Sequence, residues 1–192
     1  MLDLCAGCGT LGILLCAKDS GCTVTGIELS ESAHLAALEN IRRNQLNHRL
    51  FSVCADLRAM PEEIPQGHFH CVVSNPPYFS GGKPSEKTPT ARQDDQCSIP
   101  ELLGCAAKHL RYGGDLFLVH KPQRLAELIH HACYVNLEPK VLTLVRHKPG
   151  AQPGMILLQC RKGGKPGLKL EEITLFDESG NPTGDHRRIY HT

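Results

Sequence analysis

Hydrophobic and polar positions follow two periods along this chain. Short apolar runs of β type alternate with stretches of helical spacing, an order that predicts a parallel sheet with crossover helices. Runs at 1–5, 23–27, 50–55, 69–74 and 116–120 read as strands, and 11–18, 31–45, 99–110 and 122–134 read as helices. Ser30 is placed to cap the second helix, with Glu31 in its first turn. Leu35, Ala37, Leu38 and Ile41 are expected to form its buried stripe. Segments 141–147 and 155–161 read as the last two strands, and the short join at 148–154 suits an antiparallel hairpin. One further apolar run lies near Leu175. The expectation is a single α/β domain over 1–192, with a mostly parallel seven-stranded sheet ending in that hairpin. Residues 79–98 break the pattern. They are polar and Gly/Pro-rich, and a stretch this long marks either a working loop or a disordered one.

Composition adds exclusions. Hydrophobic residues make up 41% and charged residues 21%, enough for a packed core and too apolar for wholesale disorder. No apolar run reaches the roughly 18–20 residues of a membrane helix, and the start MLDLCAGCGT carries no secretory signal. A soluble, cytoplasmic domain is expected. The ten cysteines sit mostly in apolar runs, as at Cys71, and read as reduced thiols. Cys5 and Cys8 have zinc-like spacing, but no second pair follows, so no metal is expected. The net charge of +1 hides an asymmetry. Residues 1–139 hold 12 Lys/Arg against 15 Asp/Glu, and residues 140–192 hold 9 against 5. The basic excess is compatible with a polyanionic partner and equally with a solvated face.

Gly7, Gly9 and Gly12 form a G-x-G-x-x-G turn between the first strand and first helix, where backbone N–H groups can approach a ligand closely. Glu28 ends the next strand, 21 residues after Gly7, where a carboxylate can accept both hydroxyls of a ribose. A dinucleotide remains open on this evidence. Against it, Asp3 puts a carboxylate inside the first strand, which suits a cationic ligand better than a diphosphate. The strongest signal is Asn75-Pro76-Pro77-Tyr78, directly after the fourth strand. Two prolines stiffen the exit from the sheet. The Asn75 side-chain oxygen and the Pro76 carbonyl can then accept from one planar amino group, and Tyr78 can stack on the ring that carries it.

These segments resemble a known family. Residues 2–10, Leu-Asp-Leu-Cys-Ala-Gly-Cys-Gly-Thr, are similar to the first motif of Rossmann-like S-adenosylmethionine-dependent methyltransferases, and residues 75–78 to their amino-methylating motif. Ala91-Arg92, the segment 119–122 and Gly163-Gly164-Lys165-Pro166-Gly167-Leu168-Lys169 resemble the bacterial tRNA adenine-N6 methyltransferases that modify adenine 37. The resemblance implies that Asp3, Cys5, Gly7 and Gly9 hold the methionine part of S-adenosylmethionine. Glu28 would take the ribose, and Asp56 with Leu57 the adenine. Asn75 and Pro76 would bind the target amine, Pro77 would stiffen them, and Tyr78 would stack the base. The partner implied is tRNA, with Lys83, Arg92, Lys162, Lys165 and Lys169 as phosphate contacts. Cys5 stands where the motif has its first glycine, a change the fold is expected to tolerate. The family carries a further segment before its first strand, so the chain reads as shortened there. Two other readings share these motifs: glutamine N5-methylation of a peptide release factor, and a non-catalytic binding remnant. The histidines read as structural or solvated, with His120 at the end of the fifth strand the one to test.

Overall fold

A computed structural model describes residues 1–77 and 97–190. Its strands are β1 (Leu2–Leu4), β2 (Val24–Glu28), β3 (Leu50–Cys54), β4 (Phe69–Ser74), β5 (Leu110–His120), β6 (Leu137–Arg146), β7 (Met155–Lys162) and β8 (Lys169–Thr174). Its helices are α1 (Thr10–Lys18), α2 (Glu31–Arg43), α3 (Ile99–His109), α4 (Leu125–Tyr134) and α5 (Gly184–Tyr190). The strands form one sheet in the order β3-β2-β1-β4-β5-β7-β6-β8. Strand β7 runs antiparallel to both β5 and β6, and the other pairs are parallel.

The chain order β1-α1-β2-α2-β3 steps outward in one direction, and β4 returns to the other side of β1. This reversal leaves a crevice at the carboxyl ends of β1 and β4, where ligands bind in open α/β sheets. Strand β1 is central, and its Leu2 and Leu4 have no exposed surface. They join Leu116, Leu118, Ile156 and Leu158 of β5 and β7, and Leu102, Leu103 and Leu128 of α3 and α4, in one core cluster. Each fully buried Leu or Ile of this kind contributes roughly 1.5–3 kcal/mol.

Several elements differ from the sequence expectation, β6 among them, which begins at Leu137 rather than 141. On α2, only Ala37 and Ile41 are buried, whereas Leu35 and Leu38 are 57% and 43% exposed. His34 lies on the inward face instead, its Nδ1 hydrogen-bonded to Ser52 Oγ of β3 at 2.8 Å. The inward face of α2 therefore carries positions 34, 37 and 41. Strand β5 begins at Leu110 rather than 116, and its pairing with β4 is irregular between Phe69 and Cys71. Gly114 permits this, since a Cβ there would stand 3.0 Å from the Arg111 carbonyl and 3.1 Å from that of His70. The tail adds β8, parallel to β6 at the sheet edge, with Lys169, Glu171 and Glu172 exposed along it. Charges on such an edge discourage further pairing. The α5 helix follows, its His186 ring stacked between Phe176 at 5.1 Å and Tyr190 at 4.5 Å. No helix among the described residues is long and apolar enough to cross a membrane.

Candidate active site

Strand register assembles the site. Leu4 pairs with Ile27 on one side and with Ser74 on the other. The next residues, Glu28, Cys5 and Asn75, therefore leave the carboxyl ends of β2, β1 and β4 side by side. Glu28 pairs in turn with Cys54, and the Ala55 N–H donates to the Glu28 carbonyl at 2.9 Å, which brings Asp56 to the same rim. Four candidates far apart in sequence thus meet at the sheet's switch point.

The turn after β1 is built from left-handed residues: Cys5 at φ 62°, Gly7 at φ 57° and Gly9 at φ 81°. Glycine adopts this region freely, and an L-residue does so at a cost of about 1–2 kcal/mol. Cys5 in the motif's first glycine position thus carries backbone strain that a glycine would not. The Cys5 thiol is partly buried against the core, and burial, then Glu28 and Asp3, push its pKa up to about 12. The Glu28 carboxylate closes the turn. Its Oε2 accepts from Gly7 N–H at 2.7 Å and its Oε1 from Ser30 N–H at 2.8 Å. Each oxygen keeps a lone pair for a further donor.

Asp3 is 1% exposed, and its Oδ2 has no hydrogen-bond partner among the described residues. Burial, reinforced by the Glu28 carboxylate, pushes its pKa up to about 7. A buried carboxyl group in that condition keeps its proton or takes a cationic partner. Asp56 is arranged differently. Its side chain caps the short turn Leu57–Ala59 and holds the Arg58 guanidinium at 2.6 Å and 2.9 Å, which keeps its carboxyl below the usual range. Leu57 lines a cleft of about 290 Å³ beside this corner, with Arg58, Met60, Glu101 and Cys105.

Asn75 is exposed and Pro76 buried at the mouth of the crevice. Just before them, the buried Ser74 hydroxyl donates to the Leu4 carbonyl at 2.6 Å and ties the end of β4 to the end of β1. Sequence reasoning missed Ser74 and Arg58. The nearness of Arg58 to Asp56 was visible, whereas the Ser74 contact depends on pairing across 70 residues. Tyr78, Lys83 and Arg92 lie outside the described residues.

The basic residues of the last third do not join this site. Lys162 pairs with Leu137 at the start of β6, and its Nζ donates to the Leu110 carbonyl at the start of β5, at 2.7 Å. Both contacts lie at the opposite end of the sheet from Asn75. Lys165 accepts at its carbonyl from Lys140 Nζ at 2.9 Å, and Lys169 forms an ion pair with Glu171 at 2.7 Å. His120 is buried at the end of β5, where Lys121 N–H donates to its Nδ1 at 2.8 Å and burial lowers its pKa.

Strand order, antiparallel β7 and a glycine turn facing a carboxylate at the end of β2 define the Rossmann-like methyltransferase class. The fold is shared with a predicted O-methyltransferase from Agrobacterium tumefaciens at TM-score 0.80 and 21% identity, over 97% of this chain and 85% of that one. It is shared also with geranyl diphosphate C-methyltransferase from Streptomyces coelicolor A3(2), at TM-score 0.63 and 11% identity over 84% and 70%. The chain belongs to the methyltransferase small domain family, whose sequence model matches residues 1–137. Within it, the chain is 30% identical over 187 residues to a tRNA1(Val) (adenine(37)-N6)-methyltransferase of Shewanella sp. strain W3-18-1, covering 94% of this chain and 77% of the relative. The protein of that name from Bacteroides fragilis strain ATCC 25285 is 31% identical over 160 residues, or 82% and 67%.

Proposed function

We propose that this chain transfers the methyl group of S-adenosylmethionine to the exocyclic N6 of an adenine in RNA, adenine 37 of a tRNA, in the cytoplasm, and that 1–192 acts as one domain. The observation that carries the reading is the register that sets Asn75 and Pro76 beside the 5–9 turn and Glu28. The names of the relatives support it. The Asp3 carboxyl group, whose Oδ2 has no partner among the described residues, fits the cationic amino-acid end of this cofactor, and Glu28 keeps lone pairs for ribose hydroxyls. Asp56 and Leu57 would take the adenine.

When bound, S-adenosylmethionine supplies a methyl group on a positively charged sulfur. The chain must orient a poor nucleophile, since an adenine amine delocalises its lone pair into the ring. Asn75 Oδ1 and the Pro76 carbonyl, both accepting from the amine, favour a more tetrahedral nitrogen and stabilise the charge it acquires. Preorganised dipoles of this kind contribute on the order of 2–4 kcal/mol each. Ser74 holds their strand end in place through Leu4. Tyr78, two residues after Pro76, would stack on the extruded base for roughly 1–3 kcal/mol of binding. Lys83 and Arg92 would meet RNA phosphates near the base, and Lys162, Lys165 and Lys169 would do so only for RNA that reaches past the site.

The test is transfer of a radiolabelled methyl group to unmodified tRNA, to a peptide release factor and to DNA, with the labelled nucleoside identified after digestion. Label in N6-methyladenosine of tRNA is expected. Label on the release factor, or none on tRNA with the cofactor bound, would refute the reading.

A further inference from the structure

The Asp3 carboxyl group lies mid-strand in the centre of the sheet, 1% exposed, with one oxygen lacking any partner among the described residues. The groups around it are acidic or neutral. From β2 it faces Glu28, and from the following turn Cys5; β4 beside it offers the uncharged Val73 and Ser74. Cys97 and Cys105, at α3, act on Cys5 in turn. No cation among the described residues acts on Asp3. Glu28, by contrast, accepts from two backbone N–H donors, Gly7 and Ser30. Burial without a donor to Oδ2 among the described residues, reinforced by the Glu28 carboxylate, is what keeps the proton on Asp3.

Resting on the cofactor reading above, we propose that Asp3 is protonated in the free protein and releases its proton to solvent when the cofactor's ammonium group arrives, so that cofactor binding is linked to proton release. The balance is simple. The ligand brings an ammonium that is already charged near neutral pH, the carboxyl O–H breaks, the proton passes to buffer, and the new ion pair is carboxylate against ammonium. With Asp3 titrating at about 7, binding at pH 6.5 should release roughly three quarters of a proton. The linkage makes the site weaker in acid and stronger toward pH 8, without any change in the shape of the crevice.

Calorimetric titration with S-adenosylhomocysteine tests this, at pH 6.5 in buffers of different ionisation enthalpy. The observed heat should vary with buffer in proportion to the protons released, and the Asp3→Asn variant should bind more weakly with no buffer dependence. Should that variant fail to fold, Glu28→Gln serves instead: with the like charge removed, release should shift to lower pH. Wild-type binding whose heat is the same in every buffer would overturn the proposal. So would undiminished release in Asp3→Asn, or a wild-type release profile in Glu28→Gln. Failure of folded wild-type protein to bind S-adenosylhomocysteine at all would instead remove the cofactor reading, and this linkage with it.

Discussion

Gly7 donates its backbone N–H to Oε2 of Glu28 at 2.7 Å, across 21 residues of sequence. The turn proposed to hold one end of the cofactor and the carboxylate proposed to hold its ribose are therefore a single hydrogen-bonded unit. Glu28→Ala should lose more than a ligand contact. Cofactor affinity should fall by about 1.5–3 kcal/mol for the charged hydrogen bonds lost, and the free protein should also be less stable because the Gly7 and Ser30 donors lose their acceptor. Calorimetry with S-adenosylhomocysteine and a urea melt on the same variant separate the two effects. Unchanged affinity would mean the ribose does not sit at the end of β2.

Asn75→Ala should leave cofactor affinity within a few-fold and lower methyl transfer roughly a hundredfold, as loss of one directed dipole does. Asn75 is exposed at the crevice mouth, so its removal leaves no cavity in the core. Turnover and affinity measured together decide the matter. Near-normal turnover would end its role in binding the amine.

Asp3 titrates at about 7 in the fold against an ordinary 3.8. A raised carboxyl pKa means that ionisation works against folding, so stability on this group's account is full below about pH 4 and is lost as pH rises through 7. Asp3→Asn should flatten that slope and make the cofactor-free protein more stable at pH 8, by on the order of 2–4 kcal/mol. Urea melts from pH 5 to pH 8.5 provide the check. A variant less stable than wild type at pH 8 would show that the carboxylate is satisfied there.

Cys5→Gly should change stability by less than about 1 kcal/mol, because relief of the left-handed strain offsets the lost thiol packing. Cys5→Val should cost at least about 2 kcal/mol, since a β-branched residue fits φ near 60° worst. Equal stability of the two variants would contradict the turn geometry.

Lys162→Ala with Lys165→Ala removes cations at the end of the sheet away from Asn75. Turnover at saturating RNA should stay within about twofold, and any loss should appear in RNA affinity, with the salt slope lower by roughly 0.7 per lost contact. A fall in turnover itself would place these lysines nearer the chemistry than the register does.

Local patterns in the sequence were enough for the alternation of strands and helices, the glycine turn, Glu28 at the end of β2 and the Asn75-Pro76-Pro77 exit from β4. Each depends on residues within a few positions of one another, through periodicity, glycine and proline chemistry. The inward face of α2 was not legible, because which face of a helix packs on the sheet is set by how the helix docks on its strands. Nor was β8, whose charged residues carry no strand pattern of their own and are held by pairing with β6. Only tertiary structure sets Cys5 at positive φ, commits Asp56 to Arg58, leaves Asp3 Oδ2 without a partner among the described residues and turns Lys162 to the far end of the sheet. Burial, register and desolvation are properties of neighbours that the order of residues along the chain does not itself specify.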